Sequence, residues 1–153
     1  MPNLPYPAPN VHLPRDGEGT IDLAKLKPSN VVLFFYPRDN TSGCTKEATG
    51  FSELLPAFEA LNTKVIGISK DSVKSHDKFV LKQGLKIPLL SDENDDICEK
   101  FDVWKEKSMY GKSYFGIERS TFLIDGTGNV VKEWRKVKVP GHVEDVLAAV
   151  KEL

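Results

Sequence analysis

Cysteine is scarce in this chain: its 153 residues contain only Cys44 and Cys98. Two cysteines are too few for a disulfide scaffold, and the C-x-x-C spacing of dithiol redox pairs and many zinc sites is absent. No apolar run approaches the roughly 18 residues that span a bilayer, so we expect no membrane segment. Histidine is also rare, which makes a metal site improbable. What these absences leave open is whether either cysteine is reactive.

A charge excess of either sign is lacking too. Lys and Arg number 21 against 22 Asp and Glu, a net charge of −1 that argues against nucleic-acid binding. With 40% hydrophobic and 28% charged residues, the chain resembles a soluble globular protein, and we expect residues 1–153 to form one domain. The start, MPNLPYPAPN, lacks the basic and apolar regions of a secretory signal, so we expect a cytoplasmic protein.

The first ten residues contain four prolines, which exclude a helix there. We interpret residues 1–10 as an extended, proline-rich N-terminal arm that is packed over the domain or partly mobile. The following stretch, VHLPRDGEGTIDLAKL, predicts two short strands around the turn Asp16-Gly17. This pair forms an N-terminal β-hairpin extension.

The rest of the chain alternates between strand and helix patterns. Strands are predicted over 31–36, 64–69, 87–90, 119–124 and 129–134, the last two joined as a hairpin. Helices are predicted over 44–61, 71–83, 94–101 and 143–153, with Asp71 as a cap and Gly84 as a stop. Pro56 should kink or split the first helix. This order indicates an α/β fold with a mixed central β-sheet.

The segment 36–47 is the candidate site, because it follows a buried strand and opens a helix. Cys44 falls near the first helical turn, where free N–H groups and the helix dipole favour thiolate over thiol. Thr41 lies three residues earlier, so its hydroxyl could reach the sulfur. Gly43 permits close backbone approach, and Pro37 fixes the start of the loop and shields one side from water. The alternative is that Cys44 has no chemical role and is a half-buried cysteine that happens to start a helix.

Other cysteine chemistries fit the spacing poorly. A tyrosine-phosphatase loop needs arginine six residues after the cysteine, where this chain has Gly50. A cysteine protease needs a histidine base, and no local signature marks His12, His76 or His142 for that role. His76 lies mid-helix in SVKSHDKF, and we interpret it as a surface or packing residue.

Pro37-x-x-x-Thr41-x-x-Cys44 resembles the active-site signature of the peroxiredoxins. The context FFYPRDNTSGCTKEA is similar to the bacterioferritin comigratory protein, or peroxiredoxin Q, subfamily. Similarity continues through GISKDSVKSHDKF, LLSDEN and MYGKSYFGIERSTFLIDGTG and so covers nearly the whole chain. Ser42 departs from the proline usual in the family.

The resemblance implies a thioredoxin-like fold and thiol-dependent reduction of hydrogen peroxide and organic hydroperoxides, without metal, flavin or haem. It also implies that Arg119 is the catalytic arginine. Glu47 stands where the family has Glu or Gln and could orient Arg119 or the loop; an exposed helix charge is the alternative. Tyr36, with Tyr114 or Phe115, could shape an apolar collar. We expect Trp104–Lys112 to be a loop bordering the mouth of the site.

The resemblance implies that peroxide oxidises Cys44 to a sulfenic acid, which a second, resolving cysteine reduces in many relatives. The two common family positions of that cysteine hold Thr49 and Val80 here. Cys98 could serve instead, although a small buried core residue is the simpler interpretation. We favour a one-cysteine cycle in a monomer, with glutathione, thioredoxin or a glutaredoxin as external reductant. The alternatives are a two-cysteine cycle through Cys98, and a non-enzymatic redox-relay or holdase module with the same fold.

Overall fold

The computed structural model describes residues 3–153; Met1 and Pro2, the start of the predicted arm, lie outside this range. The strands are β1 (Tyr6–Pro7), β2 (His12–Pro14), β3 (Thr20–Asp22), β4 (Asn30–Phe35), β5 (Thr63–Ser69), β6 (Leu89–Ser91), β7 (Trp104–Met109), β8 (Lys112–Ile117), β9 (Ser120–Ile124) and β10 (Asn129–Trp134). The α-helices are α1 (Ser42–Glu53), α2 (Leu55–Glu59), α3 (Val73–Gln83), α4 (Ile97–Lys100) and α5 (His142–Lys151), and a 3₁₀ helix covers Leu23–Leu26.

Six strands form a mixed central sheet in the order β1-β10-β9-β4-β5-β6. The strands β4, β5 and β6 run parallel, as their helical crossovers require, whereas β9 pairs antiparallel with both β4 and β10. The α/β fold with a mixed sheet, predicted from the order of elements, is therefore confirmed. The strand β4, at the centre, ends where the candidate site begins.

The two faces of the sheet bury separate apolar clusters, because successive side chains of a strand point to opposite faces. The helix-side core lies under α1, α2, α3 and α5 and includes Val32, Phe34, Cys44, Phe51, Phe58, Phe79 and Val146. The hairpin-side core includes Leu13, Leu33, Phe35, Cys98, Phe101 and Phe122. The two cysteines thus pack on opposite faces of the sheet.

The N-terminal arm is partly a strand. Tyr6 and Pro7 form β1, which pairs antiparallel with β10 at one edge of the sheet, and the Tyr6 hydroxyl donates to Glu133 at 2.7 Å. Proline is tolerated there because an edge strand leaves one row of backbone groups unpaired. The predicted hairpin after the arm is present as the antiparallel pair β2–β3.

Pro56 divides the first helical segment in two, as its sequence pattern predicts. The helix α1 ends at Glu53, and α2 begins at Leu55, which places Pro56 in the first turn of the second helix. Proline is accommodated in a first turn because the N–H that it lacks would have no helical partner there. Phe51 and Phe58 on either side still pack into the same core.

The cap of α3 and the start of β9 differ from the predicted ones. The cap of α3 is Ser72, whose side chain accepts from the N–H of Ser75, and not Asp71. Gly84 does end α3, with φ of 63° in the left-handed region. Arg119 precedes β9 instead of beginning it, so its backbone lies in the short connection from β8.

The segment predicted as a loop over residues 104–112 is one arm of a β-hairpin. The strands β7 and β8 pair in register from Trp104 with Ile117 to Met109 with Lys112. Tyr110 and Gly111 make the turn, both with positive φ, as a two-residue hairpin turn requires. In residues 3–153, no helix has the length and hydropathy needed to cross a membrane.

Candidate active site

Cys44 occupies the first turn of α1, just beyond the end of β4. The turn is started by Thr41, which has extended backbone angles and whose carbonyl accepts the first helical hydrogen bond from the N–H of Thr45 at 2.9 Å. The thiol is nearly inaccessible, with 1% of Cys44 exposed. A sulfur at this place lies within the field of the helix N-terminus, which favours an anion.

Arg119 approaches Cys44 from a distant part of the chain. Its Nη2 donates to Cys44 Sγ at 3.2 Å, and its Nη1 donates to Glu47 Oε1 at 2.7 Å. Burial alone would lower the pKa of Arg119, but Glu47 and Cys44 outweigh it and raise the pKa above its ordinary value. The guanidinium is therefore a fixed positive charge that holds the sulfur with one arm and a carboxylate with the other.

Glu47 lies one helical turn after Cys44 and is fully buried, so it is not the exposed helix charge of the alternative interpretation. Burial raises the pKa of Glu47 to about 7, against the opposing influence of Arg119. Its second oxygen, Oε2, faces His142 Nε2 at 3.8 Å. The carboxyl group is thus held by Arg119 on one side only.

Gly43 leaves room for the guanidinium. A Cβ at this position would lie 3.2 Å from Arg119 Nη2, which is tighter than ordinary contact. The sequence suggested close backbone approach at Gly43, and the group that approaches is the arginine. Any larger residue at Gly43 would displace the arm of Arg119 that bonds to the sulfur.

Thr41 does not make the predicted hydrogen bond to the sulfur. Its hydroxyl donates to the carbonyl of Arg38 at 2.9 Å, which fixes the turn before Cys44. Because the hydroxyl proton is used in this way, the lone pairs of Thr41 Oγ1 remain available to accept a hydrogen bond. Both Thr41 and Pro37 are exposed at the loop surface.

Tyr36 is buried and forms no collar around the site, contrary to the expectation for it. Its hydroxyl donates to Asp39 Oδ1 at 2.7 Å. The other oxygen of Asp39 lies 2.7 Å from His76 Nδ1 and accepts from the Ser75 hydroxyl at 2.8 Å. Asp39 is thus the buried anchor of the loop, and Tyr36 supports the loop from below.

His76 is a fully buried ion-pair partner rather than a surface residue. Its two ring nitrogens face acceptors: Nδ1 faces Asp39, and Nε2 lies 2.9 Å from the carbonyl of Leu90. Burial would lower the pKa of His76, but the hydrogen bond and charge of Asp39 raise it. The sequence missed this pair because its members lie 37 residues apart and no local pattern joins them.

The β7–β8 hairpin borders the site. Burial, followed by the nearby charge of Arg119, lowers the pKa of Lys107, and the Lys107 ammonium donates to the carbonyl of Ile117. Tyr114 and Phe115 on β8 are exposed by 45% and 58%, and the Phe115 ring stacks on Trp104 with 6.4 Å between the ring centroids.

Cys98 belongs to the other side of the molecule. It lies at the start of α4, where the carboxylate of Asp92 accepts from the backbone N–H groups of Ile97 and Cys98 at 3.0 and 2.8 Å. Burial and the negative charge of Asp92 raise the pKa of the Cys98 thiol well above its ordinary value. A buried thiol beside a carboxylate stays protonated and is a poor nucleophile.

Residues 5–133 match the AhpC/TSA family. The chain belongs to the AhpC/TSA family. Among relatives, peroxiredoxin Bcp of Xanthomonas campestris is 56% identical over 121 residues, covering 79% of this chain and 76% of that protein. Peroxiredoxin Bcp of Bacillus subtilis is 47% identical over 146 residues, covering 95% and 93%.

Solved structures agree with this membership. Peroxiredoxin Q of Xanthomonas campestris superposes with a TM-score of 0.89 at 50% identity, over 93% of this chain and 90% of that one. A Xylella fastidiosa PrxQ mutant gives 0.90 at 45% identity, over 96% of each chain. This AhpC/TSA chain therefore has the thioredoxin-like peroxiredoxin fold and is a thiol-dependent peroxidase of the Bcp/peroxiredoxin Q group.

Proposed function

We propose that Cys44 is the peroxidatic residue of this peroxidase and that it reduces hydrogen peroxide and organic hydroperoxides. The thiolate attacks one oxygen of the hydroperoxide; the S–O bond forms as the O–O bond breaks. Sulfur loses two electrons and the peroxide gains them, and the leaving oxygen takes up a proton to give water or an alcohol. Cys44 becomes a sulfenic acid.

The 3.2 Å contact between Arg119 and the Cys44 sulfur carries this proposal. A fixed guanidinium beside the nucleophile stabilises the thiolate first and then the negative charge that develops on the oxygens. The backbone N–H groups of the first turn around Gly43 and Cys44 add to this stabilisation. Thr41 Oγ1, whose proton already goes to Arg38, accepts a hydrogen bond from the O–H of the hydroperoxide.

Two observations support organic hydroperoxides as substrates in this proposal. A solved structure of the Xanthomonas campestris bacterioferritin comigratory protein, 49% identical with a TM-score of 0.89, was described with its alkyl peroxide reduction activity. In this chain the exposed Tyr114 and Phe115 offer apolar contacts on the hairpin that borders the site.

We favour a one-cysteine cycle, in which an external thiol attacks the sulfenic acid of Cys44. Thr49 and Val80 stand at the two sites where relatives carry a resolving cysteine, and Cys98 packs in the core on the opposite face of the sheet. A disulfide needs Cα atoms within about 7 Å, which a central sheet between the thiols opposes. Glutathione, thioredoxin or a glutaredoxin in a reducing compartment such as the cytoplasm would recycle the monomer.

A peroxide-consumption assay with a thiol donor tests the proposal. We expect wild-type protein to consume hydrogen peroxide and an alkyl hydroperoxide catalytically, and Cys44→Ser to lose this activity. Cys98→Ser is the matched control, because it makes the same atomic change in the other buried cysteine. Turnover by Cys44→Ser at the wild-type rate would refute the assignment.

A further inference from the structure

One buried oxygen beside the site lacks a partner. Glu47 is fully buried, and its Oε2 has no hydrogen-bond partner among residues 3–153, whereas Oε1 accepts from Arg119. A buried carboxylate oxygen that is left unpaired loses its hydration without gaining a hydrogen bond in return. A carboxyl group in this position is therefore poised to carry a proton on Oε2.

The group that faces this oxygen is His142, at the start of α5. Its Nε2 lies 3.8 Å from Glu47 Oε2 and 2.8 Å from Thr121 Oγ1. Burial, together with the positive charge of Arg119, lowers the pKa of His142 to about 4, so the ring is neutral near pH 7. A neutral ring places no positive charge beside Oε2 that would favour the ionised carboxylate, and its Nε2 is already hydrogen-bonded to Thr121.

The charges of the groups that contact Arg119 do not balance without a proton. Arg119 is one cation that contacts two acidic groups, the Cys44 thiol and the Glu47 carboxyl. If both were ionised, two anions would share one buried cation. Two anions held by the same guanidinium repel each other, so a negative charge on Cys44 favours the protonated form of Glu47.

We propose that Glu47, facing His142, holds a proton while Cys44 is a thiolate and releases it when the thiolate is consumed. This proposal rests on the peroxidase function of Cys44. In the resting step, the thiol proton moves to Glu47, giving Cys44–S⁻ and Glu47–COOH. When the peroxide O–O bond breaks, the new S–O bond leaves the sulfur uncharged, and the leaving alkoxide or hydroxide needs one proton. Glu47 gives up one proton in the same step, so no net proton is taken from solvent.

Other charged groups lie near the site without joining the contacts of Arg119. Lys107 on the hairpin is close enough to Arg119 and Cys44 to influence both. On α5, Asp145 and Glu144 act on His142 and oppose the lowering of its pKa. His142 also lines a surface cleft with Trp134 and Asp145, which gives this corner of the site contact with solvent.

A single-turnover measurement of proton uptake tests the proposal. Reduced protein in weak buffer near pH 7 is mixed with one equivalent of hydrogen peroxide, and a pH indicator records the protons taken up as Cys44 is oxidised. Wild-type protein should take up fewer protons than Glu47→Gln, with a difference approaching about one proton per Cys44 oxidised. Glutamine keeps the acceptor for Arg119 but cannot carry the proton.

Two further variants sharpen the test. Glu53→Gln makes the same change at an exposed position of the same helix and should match wild type. His142→Asn, which is also uncharged and keeps a polar group near Thr121, should match wild type as well.

Equal proton uptake by wild type and Glu47→Gln would overturn the proposal. Proton uptake by His142→Asn as large as that of Glu47→Gln would contradict the part assigned to the neutral ring. If the peroxidase function itself were wrong, the result would differ. Wild-type protein would then leave hydrogen peroxide unconsumed, and its thiols would stay reduced.

Discussion

A buried ion pair between Asp39 and His76 connects the loop that precedes Cys44 to the helix α3. The Oδ2 and Nδ1 atoms are 2.7 Å apart, and both side chains are withdrawn from solvent. Tyr36 and Ser75 donate to the same carboxylate, so buried groups anchor the loop from the side of the core. Arg119 then bonds to the sulfur from the other side.

This pair should make stability depend on pH. The pKa of His76 is raised in the folded protein, so its contribution is full below the unfolded pKa of about 6.5 and is lost as pH rises through the folded pKa. We expect the free energy of unfolding to fall as pH rises above the unfolded pKa of about 6.5 in wild type, but less so in His76→Gln. Urea unfolding at several pH values measures this, and parallel pH profiles would contradict it.

Removal of the carboxylate should be costly. Asp39→Asn leaves a buried imidazolium without its counterion, which typically costs about 3–5 kcal/mol when such a pair is broken. Urea denaturation measures this loss, with Asp77→Asn on α3 as a control that changes a carboxylate outside the buried cluster. A loss no larger than that of the control would show that the pair contributes little.

Arg119→Lys should lower kcat/KM for hydrogen peroxide by about 100-fold, the scale of one lost electrostatic contact at a transition state. Lysine carries the same charge, but a single ammonium cannot hold Cys44 and Glu47 at once in the geometry of a guanidinium. Arg15→Lys, at a distant and partly exposed arginine, is the control. Retention of wild-type kcat/KM in Arg119→Lys would argue against the bidentate role.

Gly43→Ala should reduce activity with little loss of stability. The new methyl group would press on Arg119 Nη2 from 3.2 Å, and a displacement of well under 1 Å in a catalytic group can cost about tenfold or more in rate. Initial rates of peroxide consumption measure the effect, with the neighbouring Ser42→Ala as control. Equal rates in the two variants would show that the guanidinium moves freely.

Cys98→Ala should leave turnover with an external thiol unchanged while it lowers stability by about 1 kcal/mol, because a fully buried sulfur atom is removed from the core. Steady-state rates and thermal unfolding measure the two effects separately. A marked loss of turnover with the fold intact would assign Cys98 a part in the cycle.

The sequence predicted the elements whose signals are local. Strand β4 is a continuous apolar run, α3 ends at Gly84, and Pro56 divides a helical pattern, so each is encoded by neighbouring residues. The place of Cys44 at a helix start followed from the same signals. The hairpin of β7 and β8 was missed because its side chains are mostly exposed and its turn, Tyr110-Gly111, lacks the common Asn-Gly signature.

Long-range pairs were beyond local patterns. Asp39 with His76, and Glu47 with His142, unite residues from separate helices and loops, and each pairing depends on how the helices cross the sheet. Arg119 was placed opposite Cys44 only through a resemblance to known proteins. Proximity in the sequence predicts a hydrogen bond from the Thr41 hydroxyl to the sulfur, but the hydroxyl donates to the carbonyl of Arg38 instead.

The central claim is that Cys44 works without a second cysteine of this chain. Intact-mass and peptide mass spectrometry of protein treated with one equivalent of hydrogen peroxide, without added thiol, tests it most directly. We predict a gain of one oxygen atom located on Cys44, with Cys98 reduced and freely alkylated after unfolding. An intramolecular disulfide between Cys44 and Cys98, seen as the loss of two hydrogen atoms and a cross-linked peptide, would contradict the account.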